Sequence, residues 1–183
     1  MSTRESIIRI GDELIRGQGF NAFSFYDISA RLGIKNASVH YHFPAKTDLG
    51  LAVVQKHIAE LDKLVLSVKG KSPLVQLKAF LNIYTHTRVG NRICIVGALA
   101  SDLNTVEALI AKELKILANK IIAWLTDILE EGRGKKIFSF RSTPRTKALM
   151  IAGTMLASVQ LSRVTGSKDF LLIKEGIIDE LMY

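Results

Sequence analysis

Of 183 residues only one is cysteine, three are proline and one is tryptophan, and aromatic residues make up 7%. Cys94 alone can form no intrachain disulfide and no multi-cysteine metal site, a usage suited to a reducing compartment. The prolines at 44, 73 and 144 fall between apolar-periodic segments, so the long stretches between them are free to be helical. Sustained period-two alternation is missing, and 136–140 is the one short strand candidate. The longest uncharged apolar stretch of note, 148–162, is fifteen residues. A bilayer needs roughly 18, so this segment reads as a buried helix and no membrane partner is expected. Arg4, Glu5, Arg9, Asp12, Glu13 and Arg16 interrupt the first twenty residues. They leave no signal peptide, and a cytoplasmic location is expected. Four histidines (40, 42, 57 and 86) and one cysteine supply no HExxH pair. With no GxSxG and no glycine-rich phosphate loop either, no catalytic residue, metal or cofactor is expected, and the enzyme reading falls away.

What is present is a globular composition, 48% hydrophobic and 23% charged, with a formal net charge of +8. A basic balance favours an anionic partner such as nucleic acid. It does not say where that partner binds, because residues 1–70 hold nine Lys and Arg against seven Asp and Glu, and most of the surplus lies later. Part of it is the run Arg133, Lys135, Lys136, Arg141, Arg145 and Lys147, with no acid between Gly134 and Lys168. Such a run is ordinarily a solvated loop.

The periodicity predicts an all-α chain of about nine helices, three of them very short. The first spans about 3–17, with Ile7, Ile10, Gly11 and Leu14 on its apolar stripe and Arg4, Glu5, Asp12, Glu13 and Arg16 largely away from it. Ser24 and Asp27 have capping-box spacing for a second helix ending at Leu32. Gly33 suits a turn that needs positive φ, Ile34 can plug the corner, and 36–43 is a third helix. Further helices are expected at about 46–67, 73–88, 93–101, a long one capped by Asn104 with Glu107 and ending near Gly132, then 144–165 and from Lys168 onward.

Residues 24–43 therefore read as a helix-turn-helix, whose second helix enters a DNA major groove. By hydrogen-bond geometry Asn36 can be bidentate to adenine, and Lys35 can reach guanine or a phosphate. Tyr41 and His42 more naturally grip the backbone. His40 either reaches the groove or packs against the first helix, and Tyr26 either touches phosphate or simply packs.

The segment Gly33-Ile34-Lys35-Asn36-Ala37-Ser38-Val39-His40-Tyr41-His42-Phe43, followed by Pro44, Lys46 and Leu49, resembles the TetR/AcrR family of bacterial transcriptional regulators. The likeness extends weakly beyond residue 70, where 92–99 is similar to a Gly-Cys-x-x-Gly segment of one subgroup. The resemblance implies that Ser24 and Tyr26 touch phosphates, that Lys35, Asn36, Ala37 and Ser38 face bases, and that Tyr41, His42 and Lys46 clamp the backbone. This chain has Lys35 where the family usually has Ser or Thr, His40 where Tyr is frequent, and Ala45, which cannot cap, where Ser is usual. The altered entry residues bear on the operator sequence rather than on the mode of binding, and Ala45 bears on the stability of the helix end.

The resemblance also implies a helix-turn-helix domain over 1–46 and an effector-binding and dimerisation domain over 47–183. Phe80, Tyr84, Thr87, Cys94, Leu103, Ile110, Trp124 and Met155 are the candidates for an apolar effector pocket, each of them equally readable as core. Cys94 is either an inert thiol or a sensor of electrophiles or oxidants, which needs cations such as Arg88 or Arg92 beside it. In the last two helices, Ala148, Ala152, Gly153 and Ala157 permit close approach and Leu156, Val159, Ile173 and Ile177 supply apolar area. They look like half of a four-helix homodimer interface. The expected function is a dimeric repressor released from a palindromic double-stranded operator by a small apolar or reactive effector. The alternative is a protein-interaction module with a degenerate helix-turn-helix.

Overall fold

The structure, a computed structural model, describes residues 2–88 and 90–182. Among these, nine α-helices and no strand occur: α1 Thr3–Gln18, α2 Phe25–Leu32, α3 Asn36–His42, α4 Lys46–Val68, α5 Pro73–Thr87, α6 Ile95–Ser101, α7 Ala108–Gly134, α8 Pro144–Thr165 and α9 Ser167–Leu181. A 3-10 turn at Phe20–Ala22, unforeseen from the pattern, joins α1 to α2. Lys136 takes φ 56° in the loop after α7, and 136–140 is not a strand.

Most helix starts follow local chemistry. Ser2 and Glu5 close a capping box on α1, with the Glu5 N–H donating to the Ser2 hydroxyl at 3.2 Å and the Ser2 N–H to the Glu5 carboxylate at 2.7 Å. Ser72 and Thr143 cap α5 and α8 ahead of first-turn prolines. Before α4, where Ala45 has no capping side chain, the Asp48 carboxylate accepts the Ala45 N–H at 2.8 Å. The α7 start differs from the expectation. Asn104 lies in a turn, and the Glu107 carbonyl accepts from Ile110 at 2.9 Å and Ala111 at 3.3 Å as α7 begins at Ala108.

Two compact units divide the chain elsewhere than at 46/47. The first comprises Met1–Glu60 with Ile95–Leu117, the second Leu61–Cys94 with Ala118–Tyr183. In the first, Ile7, Leu14, Ile15, Ile28, Val39, Phe43, Leu49 and Leu99 are buried together with Ile110. Gly50 lets α4 come close to its neighbours, since a Cβ there would meet Ile110 Cδ1 at 2.7 Å and Phe20 Cε2 at 2.8 Å. In the second, Leu77, Phe80, Leu81, Leu125, Leu129, Ala148, Met155 and Phe170 form the core.

Asp12, expected on the polar side of α1, is 5% exposed instead. Its carboxylate accepts from His57 Nε2 at 2.7 Å and Arg16 at 3.2 Å, with Lys56 Nζ at 3.5 Å. Burial pushes this carboxyl up, but the His57 hydrogen bond and charge, then Arg16 and Lys56, outweigh it and hold it at about 2.

Candidate functional site

The helix-turn-helix is built on a few fixed points. The Asp27 carboxylate accepts the Ser24 N–H at 2.6 Å and its hydroxyl at 2.9 Å, which starts α2 and holds the Asp27 carboxyl below its ordinary range. Gly33 ends α2 at φ 65°, and the Ile34 N–H donates to the Ser29 carbonyl at 3.1 Å. Val39 on α3 and Phe43, four residues on at its C-cap, are 0% and 2% exposed. They nail α3 down by one face, and the Arg4 guanidinium covers the Phe43 ring at 5.1 Å.

The other face of α3 is then dictated by helical spacing. Asn36, Ala37, His40 and Tyr41 lie on it and are exposed, as is Lys35 at the N-cap. Ser38 and His42 are half-buried. Tyr41, at 84% exposed, stands out from the surface with its ring edge-on to His42 at 5.2 Å. His40 is exposed while its ring meets Phe25 edge-on at 4.9 Å, so it rests on α2 and not against α1. Tyr26 does not pack, being 71% exposed near the exposed Ser24.

Lys46 is placed differently. Its ammonium lies 4.1 Å from the Phe23 ring centre and 4.9 Å from that of Phe20, and it donates to the Phe23 carbonyl. Desolvation lowers its pKa, with Asp27 and Asp102 opposing. The ammonium is held on its own chain, not presented outward as a backbone clamp. A further residue that sequence reasoning missed is Asp102, whose carboxylate accepts the Phe20 N–H at 2.7 Å and so anchors the turn behind the motif. Only its position in the fold reveals that role.

The candidate effector residues divide between the units. Phe80, Tyr84, Thr87, Trp124 and Met155 are buried in the second, where the Phe80 ring meets Tyr84 at 5.6 Å and Trp124 at 6.1 Å. Ile110 is core of the first unit, over Gly50, and Leu103 is 46% exposed in the turn after α6. Leu103 therefore lines no buried pocket. Cys94 is half-buried, and Arg88 lies on the Phe170 ring at 4.2 Å. The basic loop is partly engaged locally: Lys135 pairs with Glu131 at 2.6 Å, Lys147 with Glu180 at 3.5 Å, and Arg133 donates to the Ser142 carbonyl at 3.1 Å.

Two of the four small residues of α8, Ala148 and Ala152, are already used inside the chain. Ala148, Ala152 and Val159 are 0%, 4% and 1% exposed, so Ala152 and Val159 have no surface left for a second subunit, and Leu156 is half-buried. Nor is α8 buried throughout. It is, among the described residues, long and apolar enough to cross a membrane, yet only 33% of its most apolar window is buried. Its outward strip is Leu149, Met150, Gly153, Ala157, Leu161 and Val164, and Leu171 and Leu172 of α9 are exposed as well. Ile173 and Ile177 are half-buried and line an open groove of about 380 Å³ with Met150 and Thr154.

Residues 7–53 match the family described as bacterial regulatory proteins, tetR family. Over nearly the whole length the fold is that of a TetR transcriptional regulator from Legionella pneumophila, with a TM-score of 0.88, 30% identity and coverage of 99% of this chain and 98% of that one. An uncharacterised HTH-type transcriptional regulator of Lactococcus lactis is 28% identical over 70% of this chain and 72% of its own. The HTH-type transcriptional repressor NemR of Escherichia coli K12 is 23% identical over 90% of this chain and 86% of its own. An outward-facing recognition helix on a fixed glycine turn, an all-helical body and these likenesses agree: the chain belongs to the TetR family of transcriptional regulators.

Proposed function

We propose that the protein is a homodimeric repressor in the cytoplasm that reads a palindromic operator with two copies of α3 and loses affinity for it when a small molecule occupies the C-terminal half. The observation that carries this reading is the polarity of α3. Val39 and Phe43 are buried while Asn36, Ala37, His40 and Tyr41 are exposed, so the helix is fixed from behind and offers base-reading groups forward. Phosphates are held by Ser24, Tyr26, Tyr41 and His42, with Lys35 and Ser38 at the groove edge. Lys46 contributes indirectly, by fixing the Phe20–Phe23 turn.

Dimerisation places the two heads at successive major grooves, roughly 34–36 Å apart. The outward α8–α9 strip is the surface proposed for it. An effector weakens DNA binding by the amount it prefers a conformer with the wrong spacing. The lever is α4, one continuous helix from Lys46 to Val68.

Selection of duplexes from a random pool, followed by titration of the winner at several salt concentrations, tests the reading. Affinity should fall steeply with salt because phosphate contacts release counterions. Tyr41→Ala should weaken all duplexes nearly equally. Asn36→Ala should relax preference at one base pair per half-site, by roughly 1–3 kcal/mol for a bidentate contact. A protein that retains no duplex in dilute buffer is not a regulator of this kind.

A further inference from the structure

Nearly every buried polar side chain of the second unit is turned onto its own backbone. Gln76 Nε2 donates to the Lys71 carbonyl at 2.9 Å, Thr87 Oγ1 to Ile83 at 2.8 Å and Ser158 Oγ to Met155 at 2.8 Å. Trp124 is different. It is 7% exposed, and its Nε1–H is buried with no acceptor among the described residues. Buried donors without a partner are rare in folded proteins, and water or a bound molecule is the usual explanation. A bridging water needs two to four polar partners, and the ring packed against the indole is Phe80, itself edge-on to Tyr84. Among the described residues the second unit buries no charged side chain. An ion brought in here would meet no fully buried counter-charge and would bear much of its desolvation cost, with Arg88 of the same unit only half-buried and lying on the Phe170 ring. Burial, then Cys94 beside it, pushes the Tyr84 hydroxyl well above its ordinary range, so this group stays neutral too.

We infer that Trp124 Nε1 is the polar anchor of a binding site in the second unit for an uncharged, apolar molecule carrying a hydrogen-bond acceptor such as a carbonyl oxygen. This rests on the effector reading above and names the chemical class that the site accepts. Phe80 supplies the apolar wall, the indole N–H supplies direction, and the lack of a fully buried charge among the described residues of this unit supplies selection against charged ligands.

Trp124 is the single tryptophan, so one indole N–H resonance and one fluorescence signal report this site alone. Three probes of similar shape separate the contributions in the full-length protein: acetophenone, ethylbenzene and benzoate. Acetophenone should shift the indole proton downfield and bind roughly fivefold tighter than ethylbenzene, the factor expected of one neutral hydrogen bond. Benzoate should bind at least tenfold more weakly than acetophenone, because burying an unpaired charge costs far more than one hydrogen bond returns. In Trp124→Phe, calorimetry should find the ketone's advantage gone while ethylbenzene binding persists. Should that variant fail to fold, the wild-type resonance decides the matter. Equal affinities for acetophenone and ethylbenzene, a preference for benzoate, or an indole resonance unmoved by every probe up to its solubility limit overturns the inference. The two readings fail separately. If every probe leaves the indole signal unchanged while another compound releases the operator, this site is overturned and the effector mechanism is spared. A ketone that binds at Trp124 without altering operator affinity supports the site and counts against that mechanism.

Discussion

Asp12 illustrates what a single side chain can hide. By helical phase it belonged with Arg4 and Glu5 on the wet side of α1, yet it is buried and bonded to His57, forty-five residues away. No local spacing reports such a partner, because the pairing exists only once α1 and α4 are packed. Its energetic consequence follows from the direction of its shift. The folded carboxyl at about 2 lies below the ordinary 3.8, so the group stabilises the native state fully above pH 3.8. That contribution is lost as pH falls toward and through about 2. It is on the order of 2 kcal/mol. Urea unfolding between pH 5 and pH 2 should show this loss in the wild type, and the slope should flatten in Asp12→Asn. At pH 7 the same variant should be less stable by a few kcal/mol, roughly 3–5 kcal/mol being usual where one partner of a buried pair is removed. A wild-type stability independent of pH in that interval would contradict the assignment.

Among elements, the reading motif was the most legible part. Capping residues, a turn glycine and the apolar plug after it are all local signals, and α2 and α3 form within a residue of where those signals put them. The 3-10 turn and the start of α7 were less visible, since Asp102 and Glu107 act through the fold and through the main chain. Gly33 permits an element-scale test. Nothing lies within 4 Å of a Cβ placed there, so Gly33→Ala meets no steric crowding and only the left-handed backbone at φ 65° resists it. A stability loss of about 1–2 kcal/mol is expected, with Gly33→Asn losing less because Asn tolerates that conformation. Denaturant titration compares the two. Equal losses for Ala and Asn would mean that something other than backbone conformation sets the requirement.

For the molecule as a whole, the proposed homodimer needs a surface on which a second subunit can sit. The sequence pointed to close approach at Ala148, Ala152, Gly153 and Ala157 with apolar area at Leu156 and Val159, but Ala148, Ala152 and Val159 are buried inside the chain, and exposed apolar area lies at Leu149, Leu161 and Val164. Apolar strips of this extent on exposed helices mark interaction sites. Leu161→Glu combined with Val164→Glu should therefore yield a monomer by sedimentation that keeps its helical signal and folded stability. Its operator affinity should drop by a factor on the order of 10²–10⁴, the usual gain from joining two heads. A double variant that stays dimeric would place the interface elsewhere. Ala152→Leu, in contrast, should damage folding first, because that position is 4% exposed in the single chain.

Sequence alone determined the helices, the glycine turn and the order of chemical groups along α3, since each depends on neighbours within four residues. Tertiary structure decided which charges are buried, that Lys46 turns inward onto Phe20 and Phe23, which face of α8 remains open, and that the Trp124 indole N–H lacks an acceptor. The division has one physical cause. Backbone hydrogen bonds and caps are short-range, whereas burial and desolvation are set by whatever distant segment arrives to exclude water.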